Sequence, residues 1–262
     1  MPQYNFPLTA LPQRTVKPRT EGVTMVMDKG ISLRQAEDFL SASSDYVDFV
    51  KLGFGTSIVS KNLREKIKLY HEAGMKVYVG GTLFEAFVIR NEFDNYIKYV
   101  SDLGLNCAEV SDGSITLEHD KKCEYINKLS KHFTVVSEVG SKEEGVIIHP
   151  ARWTSMMQKE LEAGADKVIA EARESGTVGI FHKNGSAHTL LINRIVQKVK
   201  LNNIIWETPQ KSQQVYFLKM FGCNVNLGNI AIDDAIPLET LRLGLRGDTF
   251  MSFLPENLKQ SH

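Results

Sequence analysis

Glutamates stand at the ends of four apolar runs in this chain, and a lysine or arginine follows three of them within four residues. The glutamates are Glu109, Glu138, Glu171 and Glu207, and the cations are Lys142, Arg173 and Lys211. Carboxylate oxygens suit a hard divalent cation such as Mg²⁺, which proteins usually bind through one or two carboxylates together with water and substrate. We therefore expect Glu109, Glu138 and Glu207 to be metal ligands.

Cations in the same kind of position suggest a substrate that carries negative charge. Lys51 ends the run YVDFVK, Lys211 follows the run that contains Glu207, and Arg246 lies in GLRGDT. Lysine and arginine bind carboxylate and phosphate groups, so we predict that these three residues contact substrate. Arg246 can instead cap the last helix or form a salt bridge at a subunit contact. A structural ion pair is the alternative for each carboxylate and its neighbouring cation, but burying many charges for stability alone is costly.

Glycines also follow the apolar runs, as in GFGT, GGT, SDGS and NLGN. Most of them are typical of tight turns. Gly228 and Asn229 are the better candidates for phosphate binding, because barrels commonly bind phosphate after their last two strands and we expect these N–H groups to open the next helix. No GxSxG, HExxH, P-loop or GxGxxG motif occurs, which removes the commonest hydrolase, kinase and dinucleotide interpretations.

Eight short apolar or β-branched runs alternate with segments of helical spacing. The runs cover 23–30, 46–56, 76–85, 107–114, 134–142, 167–176, 203–211 and 224–231. Alternation of this kind predicts parallel strands joined by helical crossovers. It favours one (β/α)8 TIM-type barrel over residues 21–250, with an N-terminal arm, 1–20, across its bottom and a C-terminal tail, 251–262. Barrel enzymes place their active sites at the C-terminal ends of the strands, where all the polar clusters would lie.

Composition narrows the class of protein further. The 262 residues carry 31 Lys and Arg against 31 Asp and Glu, without the basic excess typical of proteins that bind nucleic acid or anionic membranes. The three cysteines form no CxxC pair, which favours reduced thiols. No signal peptide and no apolar stretch of about 20 residues is apparent. We expect a cytoplasmic protein that binds small molecules and neither nucleic acid nor a membrane.

The strings KLGFGT, GGTLFE, EVSDG, SEVGSK, EARESG, ETPQK, NVNLGNI and LETLRLGLRGDT occur in this order. Together they resemble the phosphosulfolactate synthase family over residues 19–249. The resemblance implies a Mg²⁺-dependent (β/α)8 barrel that adds sulfite to phosphoenolpyruvate and gives (2R)-phospho-3-sulfolactate. This is a step toward coenzyme M in methanogens and toward sulfolactate in bacteria. It further implies a homo-oligomer, with a trimer as one candidate.

The same resemblance implies that Lys142 is the general acid, and we group Glu171 and Arg173 with it as catalytic residues. Archaeal members tend to read EVGKK where this chain has SEVGSK, so only the second lysine of that motif is present. Two alternatives stay open. The chain can be another metal-dependent barrel lyase or aldolase that acts on a phosphorylated carboxylate, or a non-catalytic, stress-associated homologue.

Overall fold

Eight parallel strands form the centre of the computed structural model, which describes residues 4–140, 149–172 and 174–259. The strands are β1 Thr24–Asp28, β2 Phe49–Leu52, β3 Lys76–Val79, β4 Cys107–Val110, β5 Thr134–Val139, β6 Lys167–Ala170, β7 Ile204–Glu207 and β8 Leu227–Ala231. Their hydrogen-bonded order is β3-β2-β1-β8-β7-β6-β5-β4. The two end strands, β3 and β4, pack side by side, and the Val77 N–H donates to Asn106 Oδ1 (2.9 Å) across this junction.

Helices follow the strands and cover the outside of the barrel. They are α1 Leu33–Ser43, α2 Leu63–Glu72, α3 Gly81–Val88, α4 Phe93–Asp102, α5 His119–Leu129, α6 Pro150–Glu162, α7 Thr189–Val196, α8 Lys211–Phe221, α9 Ala235–Arg242, α10 Phe250–Phe253 and α11 Glu256–Lys259. No helix within the described ranges is long and apolar enough to cross a membrane. The described chain is therefore a single (β/α)8 barrel, which confirms the predicted fold class.

The strands are buried on both faces because the barrel has two apolar layers. Val50, Val77 and Val168 belong to the large core between the strands and the surrounding helices. A smaller cluster fills the interior of the barrel and consists of Val23, Met25, Phe49, Tyr78, Cys107, Val136, Ile169 and Ile205. Side chains alternate between the two faces along each strand, so this inner layer fixes which later residues also face the interior.

The segment before β1 lies at the end of the barrel where the strands begin. Lys17 Nζ donates to the carbonyl oxygens of Val47 (2.7 Å) and Ala73 (2.8 Å), which precede β2 and β3. Arg14 pairs with Glu239 of α9 (3.0 Å). These contacts hold the segment at the barrel bottom, opposite the C-terminal ends of the strands.

Two predicted strand positions differ from the structure. The run 76–85 contains β3 only as far as Val79, and Gly81 already begins α3. Within the run 224–231, β8 begins only at Leu227, and the side-chain NH₂ of Asn226 just before it donates to the carbonyl oxygen of Ile204 (2.9 Å) at the barrel bottom. Apolar residues occur on both sides of each boundary, with Leu83 beyond Val79 and Val225 before Leu227, so hydrophobicity alone does not mark where the strand ends or starts.

Candidate active site

A cavity of about 420 Å³ opens at the C-terminal ends of the strands. This volume lies within the usual range for small-molecule sites, about 300–1,000 Å³. Its lining comes from all eight strands or the segments directly after them and consists of Met27, Lys51, Gly53, Phe54, Gly80, Gly81, Thr82, Glu109, Ser114, Glu138, Glu171, Glu174, Ser175, Glu207 and Asn229. Barrel enzymes bind substrate at this end.

Five charged residues of the lining form one layer, because each stands two positions after a member of the inner apolar layer. Lys51 follows Phe49 in this way, and Glu109 follows Cys107. The same spacing relates Glu138 to Val136, Glu171 to Ile169 and Glu207 to Ile205. Residues two apart on a strand share a face, so the strands direct all five side chains into the barrel above its apolar plug.

Lys51 lies at the centre of this charged layer. Its Nζ atom is 3.1 Å from Glu109 Oε2, 3.4 Å from Glu138 Oε2 and 3.5 Å from Glu207 Oε1. All four residues are less than 10% exposed. Burial alone would lower the pKa of Lys51, but the attraction of Glu109, Glu138 and Glu207 outweighs it and holds the pKa well above its usual value. The ammonium therefore stays charged at neutral pH.

Backbone hydrogen bonds fix two of the three glutamates in place. The Gly81 N–H, at the start of α3, donates to Glu109 Oε1 (2.9 Å). The Ala172 N–H, just after β6, donates to Glu207 Oε2 (3.0 Å). These backbone donors set the orientation of each carboxylate independently of Lys51, which gives the layer a defined geometry.

Glu85 of α3 supports the loop that follows β4. This buried carboxylate accepts hydrogen bonds from the N–H groups of Gly113 (3.0 Å) and Ser114 (2.9 Å), and from Ser111 Oγ. Ser111 Oγ also lies 3.3 Å from Glu138 Oε1. Glu85 thus connects helix, loop and charged layer. The sequence interpretation missed it, although GGTLFE contains the signal: a glycine pair that ends a strand and begins a helix.

A second buried charge supports Glu138 from behind the strands. Lys122 Nζ of α5 lies 2.9 Å from Asp112 Oδ1, 3.0 Å from Glu160 Oε1 and 2.6 Å from the Glu138 carbonyl oxygen. Burial lowers the pKa of Lys122, but Glu160 and Asp112 outweigh it and raise that pKa above its usual value. The Ser137 hydroxyl donates to Glu160 as well (2.5 Å). This network anchors β5 beside the cavity.

The structure brings together most, but not all, of the predicted site residues. Lys51, Glu109, Glu138, Glu171, Glu207 and Asn229 line the cavity. Lys211 is the first residue of α8, is half-exposed and pairs with Asp248 (3.0 Å), outside the cavity lining. Arg246 also lies outside the lining, in the turn before α10. Lys142 and Arg173 fall outside the described residues, so their predicted roles remain predictions.

Gly228 and Asn229 are not at a helix N-terminus, contrary to the expectation for a phosphate site. Both lie within β8, and the next α-helix begins only at Ala235. Gly228 packs against the inner layer, because a Cβ atom there would stand 2.6 Å from Met25 Cε and 2.8 Å from Ile205 Cγ2. The Asn229 N–H donates to Met25 Sδ (3.3 Å). These backbone groups are therefore engaged in the barrel itself.

The donor chemistry of the cavity suits a hard cation. Its described lining contains five carboxylates and one ammonium, and oxygen ligands are those that Mg²⁺ prefers. Within the described ranges, however, no three acidic, histidine or cysteine side chains are arranged to hold a metal ion by themselves. Glu109, Glu138 and Glu207 converge on Lys51 instead. A metal bound here would be held by one or two glutamates together with substrate oxygens. The roles of Glu109, Glu138 and Glu207 as metal ligands therefore stay predictions.

A (β/α)8 barrel with a charged layer beneath a cavity at its C-terminal end is the arrangement of barrel enzymes. Comparison with known proteins narrows this class. The family of (2R)-phospho-3-sulfolactate synthase (ComA) matches residues 12–248. The chain therefore belongs to the phosphosulfolactate synthase family, as its motifs predicted.

Two relatives illustrate how far the similarity extends. The chain is 42% identical to a phosphosulfolactate synthase from Bacillus subtilis, over 92% of this chain and 96% of the relative. It is 41% identical to one from Methanothermobacter thermautotrophicus, over 91% and 95%. The crystal structure of 3-hexulose-6-phosphate synthase from Salmonella typhimurium aligns with a TM-score of 0.53 at 17% identity, covering 92% of this chain and all of that one. The last similarity concerns the fold alone.

Proposed function

We propose that this protein is a phosphosulfolactate synthase that adds sulfite to phosphoenolpyruvate with the help of Mg²⁺ and gives (2R)-phospho-3-sulfolactate. The observation that carries the proposal is the buried Lys51 within hydrogen-bonding and ion-pairing reach of three glutamates at the C-terminal end of the barrel. Family membership over residues 12–248 supports the choice of reaction. The product contains a new carbon–sulfur bond, so the enzyme belongs with the carbon–sulfur lyases.

The reaction requires charge to be stabilised and one proton to be delivered. The sulfur lone pair of sulfite attacks the methylene carbon of phosphoenolpyruvate, and the carbon–carbon double-bond pair moves toward the carboxylate as an aci-carboxylate. A general acid then protonates the neighbouring carbon, and the phosphate ester stays intact. Fixed positive charge beside the carboxylate lowers the barrier most, since preorganised charge is usually the largest contribution to such catalysis.

Lys51 supplies one fixed positive charge, but the described part of the cavity lining is acidic overall. Among those described residues, five carboxylates against one ammonium would repel two anionic substrates. Further cations would balance this charge, and Mg²⁺ would supply such charge if one or two of Glu109, Glu138 and Glu207 held it. Lys142 and Arg173, which follow Glu138 and Glu171 in the chain, are the protein's own further cations. We assign Lys142 the proton transfer.

The test is a mixture of purified protein, phosphoenolpyruvate, sulfite and Mg²⁺. We expect the enol absorbance of phosphoenolpyruvate to fall only when sulfite is present, together with a new phosphorus resonance. An aldolase or another lyase would not require sulfite, and a non-catalytic homologue would leave the absorbance unchanged. Activity should disappear with EDTA and return with Mg²⁺, whereas full activity after exhaustive chelation would contradict the metal requirement.

The family resemblance also underlies two expectations about the protein in the cell. We expect a cytoplasmic homo-oligomer, and sedimentation velocity distinguishes the trimer from other sizes. The partners are then small molecules and further copies of this chain.

A further inference from the structure

Beside the cavity, β8 contains one residue more than the segment of β1 with which it pairs. Thr24 pairs with Leu227 and Val26 pairs with Ile230, so two steps along β1 correspond to three steps along β8. This is a β-bulge, and its extra residue lies at Gly228 and Asn229. Bulges redirect side chains and are common beside active sites.

The bulge turns Asn229 toward the cavity. Leu227 and Ile230 both belong to the outer core, whereas Gly228 meets the inner layer and Asn229 lines the cavity. Strict alternation after Gly228 would send Asn229 outward. Asn229 instead has a φ of 54°, in the left-handed region that asparagine tolerates better than most residues. The unusual backbone conformation of Asn229 therefore directs its amide into the cavity.

The side-chain oxygen of Asn229 has no hydrogen-bond donor beside it among residues 4–140, 149–172 and 174–259. The residue is 7% exposed, and its Oδ1 atom is buried and accepts no hydrogen bond from any residue in the described part of the chain. A buried amide atom without a hydrogen bond is costly. A half-turn of the carboxamide exchanges its oxygen and its NH₂ group, so either end can meet a ligand at this point.

The ammonium of Lys51 is already engaged by carboxylates, so substrate oxygens need other hydrogen-bond donors. An ammonium has three N–H donors, and three carboxylates surround that of Lys51. Phosphoenolpyruvate and sulfite offer mainly acceptor oxygens, so they need donors that the glutamates do not already occupy. Asn229 carries the single amide side chain among the described residues of the cavity lining, and unlike a further lysine it brings no charge for the glutamates to neutralise.

We infer that the Asn229 side chain binds an anionic oxygen of the substrate through its NH₂ group, and that the bulge in β8 exists to aim it. This inference rests on the proposed function for the identity of the anion. It differs from the expected phosphate site, because the donor is the side chain and not the backbone N–H, which bonds Met25. Asn229 is then a residue that binds the substrate directly.

The test uses two substitutions that keep the left-handed backbone. Asn229→Gly removes the amide at a positive φ that glycine adopts readily. Asn229→Asp keeps the shape of the side chain but replaces the donor with negative charge. The control is Asn91→Gly, since Asn91 also has a positive φ (58°) but is exposed in the turn between α3 and α4. Calorimetric titration with phosphoenolpyruvate and Mg²⁺, without sulfite, measures binding apart from turnover.

We expect Asn229→Gly to weaken binding of phosphoenolpyruvate about 10-fold to 100-fold, as for loss of one hydrogen bond to a charged group. Asn229→Asp should weaken it more, while the melting temperature of Asn229→Gly equals or exceeds that of the wild type. Asn91→Gly should bind normally. Wild-type affinity in a folded Asn229→Gly would overturn the inference.

Two other results would also be decisive. If Asn229→Asp keeps its affinity for phosphoenolpyruvate and binds Mn²⁺ more tightly, the amide oxygen serves a cation and the inference is wrong. If the wild type neither turns over nor binds phosphoenolpyruvate, the proposed function fails, and titration with inorganic phosphate then tests Asn229 by the same comparison. A wild type that binds neither probe contradicts both.

Discussion

The Nζ atom of Lys51 lies 3.1 Å from Oε2 of Glu109, although the two residues stand on β2 and β4, with β3 between them. The contact therefore crosses the inside of the barrel and is not a pairing of neighbours on its wall. Because both side chains are almost fully buried, solvent screens their attraction only weakly. The charged layer depends on this pair.

Loss of the ammonium should leave three buried carboxylates close together. We expect Lys51→Met to lower the free energy of unfolding by about 3–5 kcal/mol, the usual cost of breaking a buried ion pair from one side. Urea unfolding at neutral pH measures this. The control is Lys211→Met, which removes a half-exposed partner of Asp248 and should cost less than about 1 kcal/mol. Equal stability of the two variants would show that Lys51 is not needed to hold the layer together.

The same pair predicts a dependence on alkaline pH. The pKa of folded Lys51 is raised above its ordinary value of 10.5, so its stabilisation is complete below that pH and is lost as the pH rises through the folded pKa. The difference in unfolding free energy between wild type and Lys51→Met should therefore stay constant from about pH 7 to 9 and shrink above about pH 10.5. A difference in unfolding free energy that already declines between pH 7 and 9 would contradict this expectation.

A methyl group at Gly81 should disturb the charged layer by contact alone. A Cβ atom there would stand 2.3 Å from Ser111 Cβ and 2.5 Å from Glu109 Oε1, and Gly81 does not have a positive φ. We expect Gly81→Ala to lower the free energy of unfolding by about 1–3 kcal/mol and to reduce kcat/KM. Gly247→Ala is the matched control, since nothing lies within 4 Å of its Cβ position. If Gly81→Ala is as stable and as active as Gly247→Ala, the residues at the end of β4 can shift without consequence and the prediction is wrong.

Removal of the proposed acid should stop turnover without unfolding the protein. We expect Lys142→Ala to lose at least about 100-fold in kcat, the usual minimum contribution of a general acid, while its melting temperature stays within a few degrees of the wild type. Lys198→Ala, which removes an exposed lysine after α7, should keep full activity. Near-normal kcat in Lys142→Ala would move the proton transfer to another group.

The barrel and most of its charged layer could be predicted from the sequence, because each depends on a short-range pattern. Alternating apolar runs and helical segments give the order of the elements, and a charge two positions after an inward apolar residue gives the side on which it lies. Lys51, Glu109 and Glu207 follow this pattern. The pattern does not show that the glutamates contact Lys51, because that contact depends on the closure of the barrel.

Other site features depend on geometry that the sequence does not display. Glu85 lies in a run that reads as one strand, and only the break at Gly81 places it on a helix under the β4 loop. Lys211 was grouped with Glu207, but it starts α8 and turns to Asp248. Asn229 faces the cavity because of a one-residue mismatch between β1 and β8, which no local pattern announces.

The most direct test of the central claim follows the carbon atom that sulfite is proposed to attack. Phosphoenolpyruvate labelled with ¹³C at its methylene carbon is mixed with sulfite, Mg²⁺ and the protein, and ¹³C spectra are recorded over time. The proposed reaction predicts that the vinyl signal is replaced by that of a saturated carbon bonded to sulfur, in amounts that follow the sulfite supplied. A vinyl signal that persists, or one that disappears equally fast without sulfite, would contradict it.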